Sequence, residues 1–126
     1  MILVLNVTLP MIEFCDPVVV NMKSPCGGED RFPVPAADGT PFEVYVRYAG
    51  TTADGRSYAS RKISDYEVPV LVEYNLFTLR ANRVTYDPKL KIVQADGNVV
   101  IEDHGAAQRW DSATFRMENG QAIRIP

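Results

Sequence analysis

The last third of the chain alternates apolar and polar residues with a period of two, which constrains the fold more than any other sequence feature. Val84 and Tyr86 alternate with polar neighbours, and the same spacing returns at Val99 and Ile101. A β-strand places successive side chains on opposite faces, whereas an amphipathic helix needs apolar residues three and four apart. The segment is therefore predicted to form strands.

Turn signals divide this segment into short strands. Asp87-Pro88 predicts a turn, because proline fixes φ and supplies no donor to a strand ladder. Asp96-Gly97 predicts a second, tight turn, because glycine accepts the positive φ that such turns require. The alternation breaks at residues 104–112, where we expect a loop; a helix of one or two turns is the alternative.

Two segments of the last third resemble each other. Residues 80–87 align with residues 109–116, 29 positions further on, so that Val84 matches Ala113. A repeated supersecondary unit is one interpretation of this offset. Chance similarity between two alternating strands is the other.

The middle of the chain also favours strands. Residues 41–48 predict a strand, and residues 58–63 predict a more polar one that pairs with it. One face of the first carries Phe42, Val44, Val46 and Tyr48. Residues 68–74 are apolar but include Pro69, which a central strand does not tolerate at a hydrogen-bonded position. Short strands with turn signals roughly every 8–12 residues predict an all-β antiparallel fold, a jelly roll, sandwich or barrel with little or no helix.

Length and composition indicate one globular domain. The chain has 126 residues, 46% of them apolar and 23% charged, and such a length can bury a sizeable core. We therefore predict a single all-β domain over residues 1–126, in which residues 2–9 and 18–22 form further strands. The net charge of −3 argues against a nucleic-acid surface, which needs a basic patch.

No arrangement of residues predicts catalysis or a metal site. His104 is the only histidine and follows Asp103 in a predicted turn, whereas a general base needs an oriented partner and a nearby nucleophile. Glu102, Asp103 and Asp111 lack the fixed spacing of a calcium loop. We predict a protein that is not an enzyme and that needs neither a metal nor a cofactor.

The cysteines and the N-terminus bear on the compartment. Cys15 and Cys26 either form one disulfide, if the protein is exported, or are two unrelated small apolar side chains. No stretch approaches the roughly 20 apolar residues of a membrane-spanning helix. Residues 1–9 lack the basic region and cleavage site of a signal peptide, so they are better interpreted as a strand.

Three strand motifs follow one another between residues 79 and 125. The first has the form A-[DN]-R-V-x-Y-D, the second A-x-G-N-V-x-I-x-D and the third A-x-x-A-x-[YF]. The matching residues are Ala81, Asn82, Arg83, Val84, Tyr86, Asp87, Ala95, Gly97, Asn98, Val99, Ile101, Asp103, Ala113 and Phe115. This succession resembles the OstA-like family of lipopolysaccharide-transport proteins. Residues 71–126 would form the OstA-like part of the domain, and residues 1–70 would supply strands of unassigned type.

The resemblance implies short antiparallel strands folded over like an open V or a twisted jelly roll. It also implies an apolar interior groove for acyl chains, with lipopolysaccharide or another lipid as the partner. The implied location is the periplasm or cell envelope, with an export signal expected outside this chain. The candidate lipid-binding residues are Val84, Tyr86, Ile92, Val99, Ile101 and Phe115. The alternative is that these residues are only the core face of a sheet.

A second functional hypothesis concerns the edges of the sheet. Edge strands expose unpaired backbone groups, so a structural module could pair through them with another copy or another envelope protein. Residues 79–126 contain seven Lys and Arg against six Asp and Glu. Such a near balance is typical of a solvated face, and a rim that contacts phosphate groups is the alternative.

Overall fold

The computed structural model describes residues 28–51 and 57–126, which contain twelve β-strands and no helix. The strands are β1 (Gly28–Pro33), β2 (Glu43–Tyr48), β3 (Gly50–Thr51), β4 (Ser57–Ala59), β5 (Arg61–Ile63), β6 (Tyr66–Val68), β7 (Val70–Tyr74), β8 (Phe77–Ala81), β9 (Arg83–Asp87), β10 (Ile92–Asp103), β11 (Ala106–Glu118) and β12 (Gln121–Ile125). The predicted all-β antiparallel class is confirmed, as a jelly-roll-like sandwich. The strands predicted at residues 2–9 and 18–22, together with Cys15 and Cys26, lie outside the described residues.

Ten of the described strands form one sheet that folds over on itself around β10. One edge of β10 pairs with β11, while its other edge pairs with β9 through residues 92–96 and with β8 through residues 100–103. The sheet continues from β8 to β7, β2 and β1, which we call the first layer, and from β9 to β4 and β3, which we call the second. β10 and β11 run through both layers, and β12 joins the second by pairing with residues 114–118.

A β-bulge bends β10 and β11 from one layer into the other. The register shifts between Asp96 and Val99, where Gly97 and Asn98 have positive φ values of 82° and 49°. These two residues stand opposite the single residue Asp111 of β11. The prediction of a tight turn at Asp96-Gly97 is therefore wrong, because β10 continues through these residues to Asp103. The preference of glycine for positive φ serves a bulge as well as a turn.

The chain crosses between the layers a second time at Asn82, which separates β8 from β9. The backbone N–H of Asn82 donates to the Gly97 carbonyl at 2.9 Å, and its carbonyl accepts from the Ser60 N–H at 2.7 Å. A Cβ atom at Gly97 would lie only 2.9 Å from Nδ2 of Asn82. The two crossings are therefore packed directly against each other.

The two similar segments flank β10 on opposite sides. Val84 of β9 and Ala113 of β11 both pair with Ala95, and the aligned residues two positions further on, Tyr86 and Phe115, both pair with Val93. Each segment passes from the first layer to the second at matching positions, so the aligned residues occupy equivalent places in the fold.

The core fills the space between the two layers. Its largest fully buried side chains are Tyr74, Phe77, Leu79, Met117, Val44, Val46, Val70, Val72, Val84, Val93 and Val99. Aromatic rings join the layers, with centroids 5.0 Å apart for Phe77 and Phe115 and 4.9 Å apart for Tyr48 and Tyr58. The face predicted for residues 41–48 is confirmed, since Val44 and Val46 are buried and its other two side chains pack against the core.

Hydrogen bonds from Tyr74 fix the turn between β11 and β12 against the core. Its buried hydroxyl donates to the Val34 carbonyl at 2.8 Å and accepts from the Gly120 N–H at 2.9 Å. The neighbouring Asn75 side chain donates to the Gly120 carbonyl at 3.0 Å. The far end of the second layer is thereby held in place.

The turn predicted at Asp87-Pro88 is confirmed, and the Asp87 carboxylate accepts hydrogen bonds from the Lys89 and Leu90 backbone N–H groups at 2.9 and 3.1 Å. Pro69 lies between β6 and β7, outside both ladders. Proline therefore takes a position where no strand donor is needed.

Two other local predictions are wrong. The loop expected at residues 104–112 is a turn of two residues followed by β11, whose first residues are exposed and so carry no alternation. The strand expected at residues 58–63 is split into β4, in the large sheet, and β5, which pairs only with β6. The partners of β2 are instead β1 and β7.

Candidate functional site

The two layers leave a cleft along the side where β11 and β12 are edge strands. Within the described residues, 106–110 of β11 pair only with β10, and β12 pairs only with β11. The cleft has a volume of about 270 Å³ and is lined by Phe77, Ile101, Asp103, Ala106, Gln108, Phe115, Ala122 and Arg124. These residues come from both layers, so the cleft is the unclosed edge of the sandwich.

The floor of the cleft is apolar. Phe77, Ile101 and Phe115 are only 2%, 4% and 5% exposed, and the two phenylalanine rings are in contact. The two-residue alternation of β8, β10 and β11 turns all three side chains toward the space between the layers. The opening therefore leads to apolar core side chains that expose only a small part of their surface, and a hydrocarbon group packed on them would be removed from water.

The walls of the cleft consist of alternate residues of the two edge strands. β11 contributes Ala106 and Gln108, and β12 contributes Ala122 and Arg124. Residues two apart in a strand share a face, which is why each wall is built from such a pair. The two alanines keep the walls thin, since each carries only a methyl group.

A cation–π contact lies at the mouth of the cleft. The guanidinium carbon of Arg124 is 3.7 Å from the centroid of the Trp110 ring, and Trp110 lies two residues beyond Gln108 on β11. Among the described residues, no carboxylate forms an ion pair with Arg124. The stacked guanidinium therefore keeps hydrogen-bond donors for an anion.

The opposite end of the cleft carries an acidic group. Asp103 pairs with Ala106 at the hairpin between β10 and β11. Ala106 is four residues from Trp110 along β11, so the two ends of the cleft are about 13 Å apart. Its Oδ1 atom is 2.6 Å from Nδ1 of His104, and both side chains are exposed. The charges at the two ends thus differ in sign.

Two of the six candidate residues from the sequence, Ile101 and Phe115, line this cleft. Val84 and Val99 are fully buried in the core, and Ile92 is partly buried.

Tyr86 lies elsewhere in the sandwich, with its ring 4.6 Å from that of Phe32. Its hydroxyl is buried and has no hydrogen-bond partner among the described residues. Burial, with smaller contributions from Tyr74 and Asp87, raises the pKa of Tyr86 to about 12. Tyr86 therefore acts here as a packing residue and does not line the cleft.

Sequence reasoning missed most of the cleft. The residues it did not identify are Phe77, Ala106, Gln108, Trp110 and Ala122. Arg124 was only counted among the seven basic residues of positions 79–126. The two-residue spacing of Gln108 with Trp110 and of Ala122 with Arg124 is visible in the sequence. That these pairs face each other depends on the fold of the sheet, which no local pattern records.

Two other depressions lie elsewhere on the described part of the protein. One of about 430 Å³ lies at the bulge and is lined by Asn98, Val99, Arg109, Trp110 and Asp111. The other, of about 190 Å³, is lined by Val34, Pro35, Leu90, Lys91, Arg116, Met117, Glu118 and Asn119. Charged side chains of both signs line all three depressions, but neither of these two has a floor of two aromatic rings in contact.

Among residues 28–51 and 57–126 there is no cluster of side chains able to hold a metal ion. The same part of the chain has no helix long and apolar enough to span a membrane. Comparison with models of protein families, with curated proteins and with solved structures found no match. The function of the protein is therefore inferred from the geometry of the cleft.

Proposed function

We propose that the protein binds the acyl part of lipopolysaccharide or a similar lipid in the cleft between its layers, as a non-enzymatic component of the cell envelope. The observation that carries this proposal is an apolar floor of Phe77, Ile101 and Phe115 at an unclosed edge of the sandwich. The resemblance of residues 79–125 to the OstA-like family supports the same function.

Burial of hydrocarbon supplies the driving force for binding. Each methylene that leaves water contributes about 0.8 kcal/mol, so several of them are needed to offset the loss of freedom on association. Arg124 at the mouth adds a site for a phosphate or carboxylate of the lipid, because a guanidinium forms charge-assisted hydrogen bonds with such groups.

A substitution at Ala106 tests the proposal without disturbing the core. Ala106 is exposed and lines the cleft, so Ala106→Phe fills the cleft from its rim. Ala107→Phe is the matched control, because this exposed neighbour points to the opposite face of β11. We expect Ala106→Phe to weaken lipopolysaccharide binding at least about tenfold, the cost of excluding two methylenes, while Ala107→Phe binds like the wild type.

Isothermal titration with purified lipopolysaccharide, together with mass spectrometry of co-purified lipid, measures this difference. Urea unfolding of each variant shows whether its fold is intact. Equal lipopolysaccharide binding by the wild type and both variants would show that the cleft is not the lipid-binding site.

A second candidate function is assembly through sheet edges. Within the described residues, β1, β3, β12 and the first part of β11 each have a partner on one side only. Unpaired strand edges can add a strand from another copy or another protein. Sedimentation velocity over a range of protein concentrations tests this: an assembly module associates whether or not lipid is present, and a lipid carrier does not.

A further inference from the structure

We infer that the cleft holds one acyl chain at a time and that Arg124 binds the anionic head group of that chain. The inference rests on the proposed function and narrows its ligand to a chain with a negatively charged head. Three properties of the site lead to it: its size, its two charged ends and the contact between Arg124 and Trp110.

The size of the cleft limits it to one chain. Its volume of about 270 Å³ falls below the roughly 300–1,000 Å³ of pockets that enclose a drug-sized ligand. Phe77 and Phe115 are in ring contact on the floor, and core side chains occupy the space behind them. Several acyl chains side by side would require the layers to separate.

The charges at the two ends select and orient the head group. Arg124 at the Trp110 end has no carboxylate partner among the described residues, whereas Asp103 lies at the hairpin end. An anionic head is attracted by the first and repelled by the second. The head therefore lies beside Trp110, and the tail extends over Ile101.

The stacking contact prepares Arg124 for this role. With its guanidinium carbon 3.7 Å from the Trp110 centroid, the side chain is held at the mouth before a ligand arrives. Less side-chain freedom is then lost on binding. Trp110 is also the only tryptophan in the sequence, so its fluorescence reports on this end of the cleft.

Titration of the full chain with two series of single-chain amphiphiles tests the inference. Alkyl phosphates and alkyl maltosides of equal chain length are used below their micelle concentrations, so that only the charge and type of head group differ. Calorimetry gives the affinities, and Trp110 emission shows whether the head is near the ring. A dialkyl phosphate with the same chains tests for a second acyl site.

We expect affinity to rise about fourfold per methylene, equivalent to about 0.8 kcal/mol, until the cleft is full and then to level off. Alkyl phosphates should bind about tenfold more tightly than maltosides, as a charged hydrogen bond would allow. Arg124→Gln should abolish this preference, because it should weaken alkyl phosphate binding about tenfold more than it weakens maltoside binding. Arg80→Gln is the control, since Arg80 is exposed on the outer face of β8, and it should behave like the wild type.

Equal affinity for phosphates and maltosides, or much tighter binding of the dialkyl phosphate, would overturn the inference. It would also fail if no single-chain probe bound while lipopolysaccharide still did. In each of these cases binding of lipopolysaccharide that Ala106→Phe blocks would leave the proposed function standing. If lipopolysaccharide did not bind either, the inference and the proposed function would both be overturned.

Discussion

Gly97 makes the bend of β10 possible at the scale of a single residue. Its φ of 82° is unfavourable for side chains with a Cβ atom, and its backbone carbonyl accepts the hydrogen bond from Asn82. A methyl group here would meet three Asn82 atoms, Nδ2 at 2.9 Å, Cβ at 3.0 Å and Cγ at 3.3 Å. Conformation and close packing therefore both require glycine at this position.

Gly97→Ala and Gly105→Ala separate these two requirements. Gly105 has a similar φ of 88°, but an added Cβ would meet nothing within 4 Å. We expect Gly105→Ala to lower the free energy of unfolding by about 1 kcal/mol, from backbone strain alone. Gly97→Ala should lower it by roughly 2–4 kcal/mol, because Asn82 must also shift. Urea unfolding measures both, and equal losses would show that contact with Asn82 does not matter.

At the scale of elements, the β5–β6 hairpin stands apart from the rest of the sandwich. It forms its own two-stranded sheet, and its buried residues Ile63 and Val68 do not belong to the main core cluster. Leu79 of β8 is fully buried inside that cluster. A small satellite of this kind can open locally while the main sheet stays intact.

The effects of Ile63→Ala and Leu79→Ala should therefore differ both in how much stability is lost and in how much of the sheet is affected. We expect Leu79→Ala to cost about 2–5 kcal/mol of global stability and Ile63→Ala about half as much, because the satellite can relax around the missing atoms. Amide hydrogen exchange distinguishes them by location. Faster exchange throughout the sheet in Ile63→Ala would show that the hairpin is part of the main cooperative unit.

At the scale of the whole molecule, buried tyrosines make stability depend on alkaline pH. Burial is the main cause that raises the pKa of Tyr48, Tyr58, Tyr74 and Tyr86 above the usual value for a phenol, in the case of Tyr86 to about 12. In the unfolded chain the same groups lose their protons near pH 10. The folded state thus retains these protons to higher pH than the unfolded state does.

The sign of the pH effect follows from this difference. The stabilisation is fully present below pH 10, and the free energy of unfolding should fall between about pH 10 and pH 12 as the unfolded state loses its protons first. Tyr86→Phe should be about as stable as the wild type at pH 7, because the hydroxyl it removes has no described partner, and its loss above pH 10 should be smaller. Urea unfolding from pH 7 to pH 12 measures both, and a flat profile would contradict the expectation.

Alternation in the sequence determined the class of the fold. Where one face of a strand is buried, as in β2, the two-residue period records that burial directly and the strand can be predicted. Where a strand is exposed on both faces, as at the start of β11, no such record exists and a loop was expected instead. The glycine at position 97 predicted a positive φ. A tight turn and a β-bulge both accommodate such a φ, so the sequence did not distinguish between them.

The cleft was decided only by the tertiary structure. Ile101 and Phe115 were recognisable as apolar face residues, but whether such residues lie deep in the core or beneath an unclosed edge depends on which edges of the sheet meet. Arg124 and Trp110 lie on different strands, and their contact results from the shared bend of β10 and β11. Local sequence specifies the side on which a residue points, whereas the pairing of distant strands specifies what it faces, because pairing depends on the packing of the whole sandwich.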